Sequence, residues 1–335
     1  MIIKKRAYPR AALIGNPSDG YFGKTIAFTF SNFFAEVILY ETPEIEIIPH
    51  IRDHSRFANL DSLVNDVDRF GYYGGIRLLK AALKKFRQYC AGENIFIDDR
   101  NFTVRYTSTI PHGLGLAGSS AIITACIHAL MDFYSVDIPM PVLANIVLSV
   151  EVDELGISAG LQDRVAQVYQ GLVYMDFAKD LMEKQAYGYY EYLDPASLPD
   201  LYIAFKADLA EGSEKVHGAY RSKYLEKDVS FDAAISKWIQ LTELVKKALL
   251  AGKMDDIHIH INENFDIRNT VQAVSDGNLS MVQTARETGA SAKFTGSGGA
   301  IVGTYSGERM YDELKSALSE IGIEVIRPRI AGKLG

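Results

Sequence analysis

The glycine-rich loop IPHGLGLAGSSA, residues 110–121, has residue types that can bind phosphate. A strand is predicted before the loop and a helix after it, so its backbone N–H groups would lie at a helix N-terminus, where anions are stabilised. The hydroxyls of Ser119 and Ser120 can add a hydrogen bond to phosphate and a ligand to Mg²⁺, which takes hard oxygen donors. The loop alone leaves a second interpretation open, in which the glycines lead into a helix that the serines cap.

The same loop contains the pattern GxGxxG at Gly113, Gly115 and Gly118, the fingerprint of dinucleotide-binding enzymes. That fold requires a second strand ending in Asp or Glu about 20 residues later, to hold a ribose hydroxyl. Here this distance falls in SVDIPMPV, where Pro139 and Pro141 favour a helix start over a buried strand. A nicotinamide-dependent dehydrogenase is therefore disfavoured, and a Walker loop is excluded because neither GxxxxGKS nor GxxxxGKT occurs in the chain.

Three acidic residues further along the chain could supply the remaining chemistry of phosphoryl transfer. The segment GISAGLQD places Asp163 after a glycine-rich bend and at the start of an apparent helix. A carboxylate there can act as a general base, or it can be a helix-start Asp that the helix dipole favours. Glu151 or Glu154, on the helix VLANIVLSVEVDELG, could complete a Mg²⁺ shell with a serine or belong to a solvated acidic helix end.

The elements that would position these residues are strands and helices in mixed order. FFAEVILYE and EIEIIP are predicted as paired strands, an amphipathic helix begins at Gly74, and the strand FTVRYTSTI and the helix SSAIITACIHALMDFY flank the loop. Further strands are predicted at LVYMDF, at LYIAFKA and near 300–305 and 323–327, and helices at about 213–225, 231–251, 254–274 and 307–321. With DPASLPDL as the candidate domain boundary, the architecture is predicted as α+β in two lobes.

Composition limits the classes of partner. The 335 residues are 48% hydrophobic and carry a formal net charge of −7, with no dense basic block, so we expect no nucleic-acid partner. No apolar run reaches the ~18 residues of a membrane span, and no signal peptide is evident, so we expect no membrane association and a cytoplasmic protein. Cys90 and Cys126 are expected to be buried thiols, and no Cys or His spacing, including that of His258 and His260, indicates a structural metal.

Three stretches, taken together, resemble the ordered motifs of the GHMP kinases, the superfamily of galactokinase, homoserine kinase, mevalonate kinase and phosphomevalonate kinase. They are AYPRAALIGNPSDGYFGK, IPHGLGLAGSSA and AKFTGSGGAIVG. Within this superfamily, GNPSD, GYYGGIRLLKAALKKF, GLAGSSAI, ELGISAGLQDRVAQVYQGLVYMDF, KVHGAYR and KFTGSGGA look like the glucuronokinase branch, which phosphorylates the anomeric hydroxyl of glucuronic acid.

The resemblance implies a two-lobed GHMP kinase fold, with a ribosomal-protein-S5-like N-terminal domain over residues 1–195 and a ferredoxin-like C-terminal domain over residues 196–335. It implies an ATP- and Mg²⁺-dependent sugar kinase, with a sugar or uronic acid as its small-molecule partner and glucuronate 1-phosphate as the product. Two alternatives stay open: a kinase for another sugar, of the galactose type or a heptose phosphate, and a non-catalytic protein that senses sugar and ATP.

The resemblance also assigns roles to residues on the phosphate side. Asp163 is the general base, and Arg10 stands where relatives carry Lys or Arg near the attacking hydroxyl. Glu151 and Ser120 are the metal ligands, with Ser119 as the alternative serine because GLAGSSA differs from the commoner GLGSSA or GLSSSA. The phosphate-binding residues are Gly113, Gly115, Leu116, Ala117, Gly118, Ser119, Ser120 and Ala121.

On the acceptor side, Asp19 matches the sugar-binding Asp of galactokinase-like proteins, whereas Asn16 and Pro17 depart from their pattern, which argues for a different sugar. A uronate carboxylate requires a cation, and Lys215 and Arg221 are favoured over Arg164. The predicted substrate-binding residues are Asn16, Ser18, Asp19, Gly160, Lys215, Arg221, Gly296, Ser297 and Gly298.

Overall fold

The computed structural model describes residues 1–50, 74–210 and 213–332, with side chains omitted for 213–217. The strands are β1 (Ile2–Ala7), β2 (Arg10–Ile14), β3 (Lys24–Thr29), β4 (Ala35–Thr42), β5 (Glu46–Ile48), β6 (Asn101–Ser108), β7 (Leu172–Asp176), β8 (Tyr189–Leu193), β9 (Leu201–Phe205), β10 (Lys293–Phe294), β11 (Ala300–Thr304) and β12 (Glu324–Ile326). The helices are α1 (Gly75–Gly92), α2 (Gly118–Tyr134), α3 (Met140–Ser149), α4 (Leu161–Tyr169), α5 (Lys179–Gln185), α6 (Ser213–Leu225), α7 (Val229–Ala251), α8 (Met254–Val271), α9 (Asp276–Glu287) and α10 (Gly307–Glu320).

Contacts between residues divide the chain into two compact units, each built from several segments. The first unit comprises Met1–Pro9, Phe33–Ile110 and Ala117–Val168, and the second comprises Arg10–Asn32, Pro111–Leu116 and Tyr169–Gly335. The mixture of helices and strands in both units agrees with the predicted α+β class.

The first unit contains a four-stranded sheet in the order β1-β4-β6-β5. The prediction that the two early strands pair with each other was wrong: β4 is antiparallel to β6, and β5 lies parallel to β6 on its other side. The short link between β4 and β5 passes the start of β6, where Asn101 Nδ2 donates to the carbonyl of Pro43 at 2.9 Å. This crossing places β6 between two strands that are neighbours in sequence.

Helices α1 and α2 pack together in the first unit, and α2 also covers β1 and β4. The predicted amphipathic helix is confirmed as α1, whose buried residues include Leu79, Phe86 and Cys90. Helix α2 is buried along most of its length, as its apolar run predicts. Cys90 and Cys126 are buried free thiols as expected, and burial raises the pKa of Cys126 to about 12.

The second unit contains two antiparallel sheets, in the orders β2-β3-β7-β8 and β10-β11-β9-β12. Helices α7 and α8 pack together, and α9 and α10 contribute to an apolar core with the second sheet. Strand β8 and helix α9 were not predicted. The sequence of β8, YYEYL, is short and lacks an apolar–polar alternation, and the sequence of α9, DGNLSMVQTARE, has few apolar positions from which a period could be seen.

The segment DPASLPDL connects β8 of one sheet to β9 of the other, within the second unit. The predicted division into domains at residues 195 and 196 therefore falls where the chain leaves one sheet for the next, and it remains a prediction. Among the helices of the described residues, none is long and apolar enough to cross a membrane.

Candidate active site

The glycine-rich loop connects the end of β6 to the start of α2, as predicted. Gly113 and Gly115 have φ values of 74° and 61°, a region that glycine tolerates, and Ala117 precedes α2 with φ at 61°. The N-cap residue of α2 is Ala117, which makes no capping bond through its side chain, and Ser120 Oγ donates to the carbonyl of Ala117 at 3.2 Å. The N-cap position of α2 is therefore not a serine, and the first N–H groups of this helix suit an anion.

Two glycine-rich turns approach each other within the second unit. A Cβ atom at Gly115 would lie 2.8 Å from the backbone nitrogen of Ser297, and one at Gly296 would clash with the carbonyl oxygen of Gly115. Glycine is therefore required at both positions by a close backbone approach between the second and third motifs. A simple hairpin turn in the third motif would explain neither contact.

Arg10, at the start of β2, is buried between these two turns. Its Nη1 donates to the carbonyl of Gly115 at 2.6 Å and to that of Thr295 at 2.9 Å. Its backbone N–H donates to the carbonyl of Leu116 at 3.3 Å. The guanidinium thus places a positive charge beside the backbone of the second and third motifs.

The first motif forms a turn followed by a 3₁₀ helix, Ser18–Tyr21. Asn16 is buried, and its Oδ1 has no hydrogen-bond partner within the described residues. Asp19 is half-buried on the 3₁₀ helix. Ser18 is fully buried, and its hydroxyl donates to the carbonyl of Lys24 at 3.0 Å. The turn therefore carries an unpartnered amide oxygen at Asn16 and a half-buried carboxylate at Asp19, and the substrate roles of Asn16, Ser18 and Asp19 remain predictions.

The candidate base, Asp163, lies in the first turn of α4, with its side chain 19% exposed. Its neighbour Arg164 has Nη1 at 3.4 Å from Asp163 Oδ2, and Gln162 Nε2 donates to Asp163 Oδ1 at 3.4 Å. The carboxylate is thus partly accessible and held from two sides, which suits a group that must accept a proton in a fixed direction.

Arg164 also binds the candidate metal ligand. Its Nε donates to Glu151 Oε2 at 3.0 Å, its Nη2 donates to the same oxygen, and its Nη1 donates to the carbonyl of Gly160 at 2.9 Å. Arg164 and Glu151 are both buried, with side chains 6% and 3% exposed. A guanidinium engaged in this way is not a candidate for holding a substrate carboxylate, so Arg221 and Lys215 remain the predicted cations.

Glu151 and Ser120 supply a carboxylate and a hydroxyl within the first unit, both buried. Both bonds from Arg164 end on Oε2 of Glu151, so neither of them reaches Oε1. Hard oxygen donors of these two kinds fit Mg²⁺, which keeps several waters and completes its shell with substrate phosphates. Asp153 and Glu154 instead face Lys85 and Lys84 on α1, as expected for a solvated acidic end.

Arg221 is exposed on α6, and the ring of Tyr224 on the same helix lies 5.0 Å from the ring of Tyr21 in the first motif. Burial raises the pKa of the Tyr21 hydroxyl, and the charge of Asp19 raises it further, whereas the charge of Arg221 lowers it. Asp19 and Arg221 therefore both act electrostatically on the hydroxyl of Tyr21. The side chain of Lys215 lies outside the described residues.

Three buried polar residues that the sequence analysis did not select hold the motifs of the second unit. Lys293 Nζ donates to the carbonyl of Ala12 at 2.6 Å, and burial, with Arg268 and Arg10 nearby, holds the pKa of this amine well below its usual range. Asn264 and Arg268, on α8, bind the first and third motifs. The segment that contains Asn264 and Arg268, NENFDIRN, has the composition of an ordinary polar helix face and gave no reason to select them. Of the three residues, only Lys293 lies inside a recognised motif.

Comparison with known proteins gives the class of this chain. Residues 77–171 match the model of the GHMP kinase N-terminal domain. The structure resembles the mevalonate kinase of Methanococcus jannaschii, with a TM-score of 0.73 and 18% identity over 99% of this chain and 98% of that one. It also resembles the Lactococcus lactis galactokinase solved with galactose, with a TM-score of 0.75 and 13% identity over 99% of this chain and 95% of that one. These likenesses confirm the GHMP kinase fold.

Sequence comparison shows the family directly. The chain is 44% identical over 306 residues to glucuronokinase 1 of Arabidopsis thaliana, covering 90% of this chain and 84% of that protein. It is 43% identical over 308 residues to probable glucuronokinase 2 of the same plant, with the same coverage. The chain belongs to the GHMP kinase family, and the predicted resemblance to glucuronokinases within it is confirmed.

Proposed function

We propose that this protein is an ATP-dependent sugar kinase that transfers the γ-phosphoryl group to the anomeric hydroxyl of D-glucuronate and releases glucuronate 1-phosphate. The observation that carries the proposal is the identity of 43–44% to two proteins named as glucuronokinases, over 90% of this chain. The arrangement of polar groups in each unit supports the kinase chemistry independently.

The N-terminus of α2 and the loop before it hold the nucleotide phosphates. The backbone N–H groups of the first turn of α2 bind phosphate oxygens, and the glycines of the loop let the backbone approach them. Glu151 and Ser120 would hold Mg²⁺, which neutralises phosphate charge when it is bound. Arg164 fixes the position of Glu151 through its two bonds to Oε2.

Asp163 accepts the proton of the attacking hydroxyl. Gln162 and Arg164 hold its carboxylate, and its partial exposure leaves it accessible to an acceptor. Arg10 supplies a fixed cation beside the second and third motifs, where it stabilises the charge that develops during phosphoryl transfer.

The acceptor sugar meets the first motif, the third motif and α6. Buried polar atoms are almost always paired, so the unpartnered Oδ1 of Asn16 suits a donor supplied by a ligand, such as a sugar hydroxyl. Asp19 accepts a second hydroxyl, and Arg221 pairs with the uronate carboxylate. The predicted roles of Lys215 and of Gly296, Ser297 and Gly298, and the cytoplasmic location, remain predictions.

An ADP-release screen tests this proposal. The acceptors are glucuronate, galacturonate, glucose, galactose, a heptose phosphate and mevalonate, each with ATP and Mg²⁺. We expect the highest kcat/KM with glucuronate. A neutral sugar or heptose phosphate that exceeds both uronates would contradict the substrate, and ATP and sugar binding without ADP release would indicate a sensor instead of a kinase.

A further inference from the structure

Helix α8 carries two buried side chains, one turn apart, that each bind the backbone of a glycine-containing turn. Asn264 is 1% exposed and Arg268 is 2% exposed. The turns are Gly15–Asn16 in the first motif and Gly296–Ser297 in the third, and both include predicted substrate ligands. All of these residues belong to the second unit.

Asn264 binds the first turn at two adjacent residues. Its Oδ1 accepts from the backbone N–H of Gly15 at 2.7 Å, and its Nδ2 donates to the carbonyl of Asn16 at 3.2 Å. One amide that satisfies a donor and an acceptor fixes both the distance and the direction of the turn. The backbone carbonyl of Asn264 separately accepts from Trp238 Nε1, so truncation of the side chain leaves that bond in place.

Arg268 binds the third-motif turn in the same way. Its Nη1 donates to the carbonyl of Gly296 at 2.7 Å and its Nη2 to that of Ser297 at 2.8 Å. The planar fork of a guanidinium matches two acceptors of this spacing, which a lysine cannot do. The carbonyls of the third motif are therefore held in one orientation.

The third nitrogen of the Arg268 guanidinium, Nε, extends this network to α6. Its Nε donates to Gln272 Oε1 at 2.9 Å, and the same oxygen accepts from the hydroxyl of Tyr220. Tyr220 directly precedes Arg221, the candidate ligand of the uronate carboxylate. Helix α8 is thus connected to the first-motif turn, the third-motif turn and α6, and acceptor contacts are proposed for all three segments.

We propose that Asn264 and Arg268 are positioning residues for the acceptor sugar. They set the distance between the Asn16 side chain, with its unpartnered Oδ1, and the turn of the third motif, so that both meet one sugar. The inference rests on the proposed function, because it names what orders the acceptor side of that site.

Steady-state kinetics with glucuronate and ATP test the inference in Asn264→Ala and Arg268→Met. The matched control is Arg286→Met, because Arg286 also donates to two backbone carbonyls, those of Asn262 and Ala292, neither of which lies in the Gly15–Asn16 turn or the Gly296–Ser297 turn. We expect the KM for glucuronate to rise about 10-fold or more in both variants, since small displacements of positioning groups are costly. The KM for ATP should change much less in Asn264→Ala, and the control should keep the wild-type KM for glucuronate.

Hydrogen exchange provides a second readout in the ligand-free protein. The amide of Gly15 should exchange faster in Asn264→Ala and at the wild-type rate in Arg286→Met. Asn264→Asp and Arg268→Lys keep part of each set of bonds, and they serve as milder variants whose KM for glucuronate should lie between wild type and the truncations.

The outcomes separate the two claims. An active wild-type enzyme whose Asn264→Ala and Arg268→Met variants keep the KM of Arg286→Met would overturn the positioning roles, even if Gly15 exchanges faster. A wild-type protein inactive on every sugar would instead overturn the proposed function.

Discussion

Arg164 and Glu151 form a buried ion pair in which two donors of one guanidinium meet a single carboxylate oxygen. The same guanidinium lies 3.4 Å from Asp163 Oδ2. One cation therefore orients both acidic residues to which metal binding and proton transfer are assigned. It also balances two negative charges that would otherwise repel each other.

Replacing Arg164 should destabilise the fold strongly. In Arg164→Met the carboxylate of Glu151 stays buried without its partner, which typically costs about 3–5 kcal/mol. Urea unfolding measures this loss. The control is Arg309→Met, because the Arg309–Glu313 pair is 92% and 52% exposed and should contribute little to stability. If both variants lose equally little stability, the Arg164–Glu151 pair does not stabilise the fold more than an exposed ion pair does.

Asp163→Asn should keep nucleotide binding and lower kcat by roughly 100-fold or more, the usual loss when a general base is removed. The amide has nearly the shape of the carboxylate but cannot take the proton. Calorimetric titration with a non-hydrolysable ATP analogue checks binding, and ADP release checks turnover. Near-normal turnover in this variant would mean that another group is the base.

Arg221→Ala should raise the KM for glucuronate about 10-fold or more, because a charge-assisted hydrogen bond to a carboxylate contributes about 1.5–3 kcal/mol. Weak activity on neutral sugars should be spared, since they lack the carboxylate. Lys223→Ala, two residues further along α6, is the matched control. Equal losses with glucose and glucuronate would show that Arg221 does not recognise the carboxylate.

His128 should make the fold sensitive to mild acid. Burial, together with the nearby charge of Lys5, lowers the pKa of His128 from 6.5 to about 4, and the charge of Asp132 opposes part of this shift. Because the folded pKa lies below the unfolded one, the protonated ring favours the unfolded chain, so stability is full above pH 6.5 and falls as the pH drops towards 4.

The loss over this interval should approach about 3 kcal/mol, because each pH unit between the unfolded and folded pKa values costs about 1.4 kcal/mol. Urea unfolding of wild type and His128→Leu at several pH values measures it. The leucine variant should lose less stability between neutral and acid pH than wild type does. Parallel pH profiles would exclude His128 as the source.

The sequence predicted the parts of this protein that depend on local pattern. The three motifs, the strand and helix around the glycine-rich loop, and the helix start at Asp163 follow from residue types at fixed spacing. The position of β5 could not be predicted from the sequence. A three-residue link between two strands usually indicates a hairpin, and nothing in the link shows that β6 lies between β4 and β5. Helix α9 has too few apolar residues for its period to be seen.

The residues that support the candidate site also could not be predicted from sequence patterns. Asn264 binds Gly15, which is 249 residues away in the sequence, and Arg268 binds Gly296, which is 28 residues away. Arg164 was considered as a ligand of the substrate carboxylate because it is a cation next to the candidate base, Asp163. Its actual partner, Glu151, is 13 residues away across a bend, a separation that no helical or strand period connects.

The position of phosphate on the product tests the central claim most directly. Glucuronate, ATP and Mg²⁺ are incubated with the enzyme, and the product is analysed by phosphorus and proton NMR. The account predicts a single phosphomonoester whose phosphorus couples to the anomeric proton, formed by wild type and greatly reduced in Asp163→Asn. A phosphate coupled to any other carbon of the sugar, or no transfer to glucuronate at all, would contradict it.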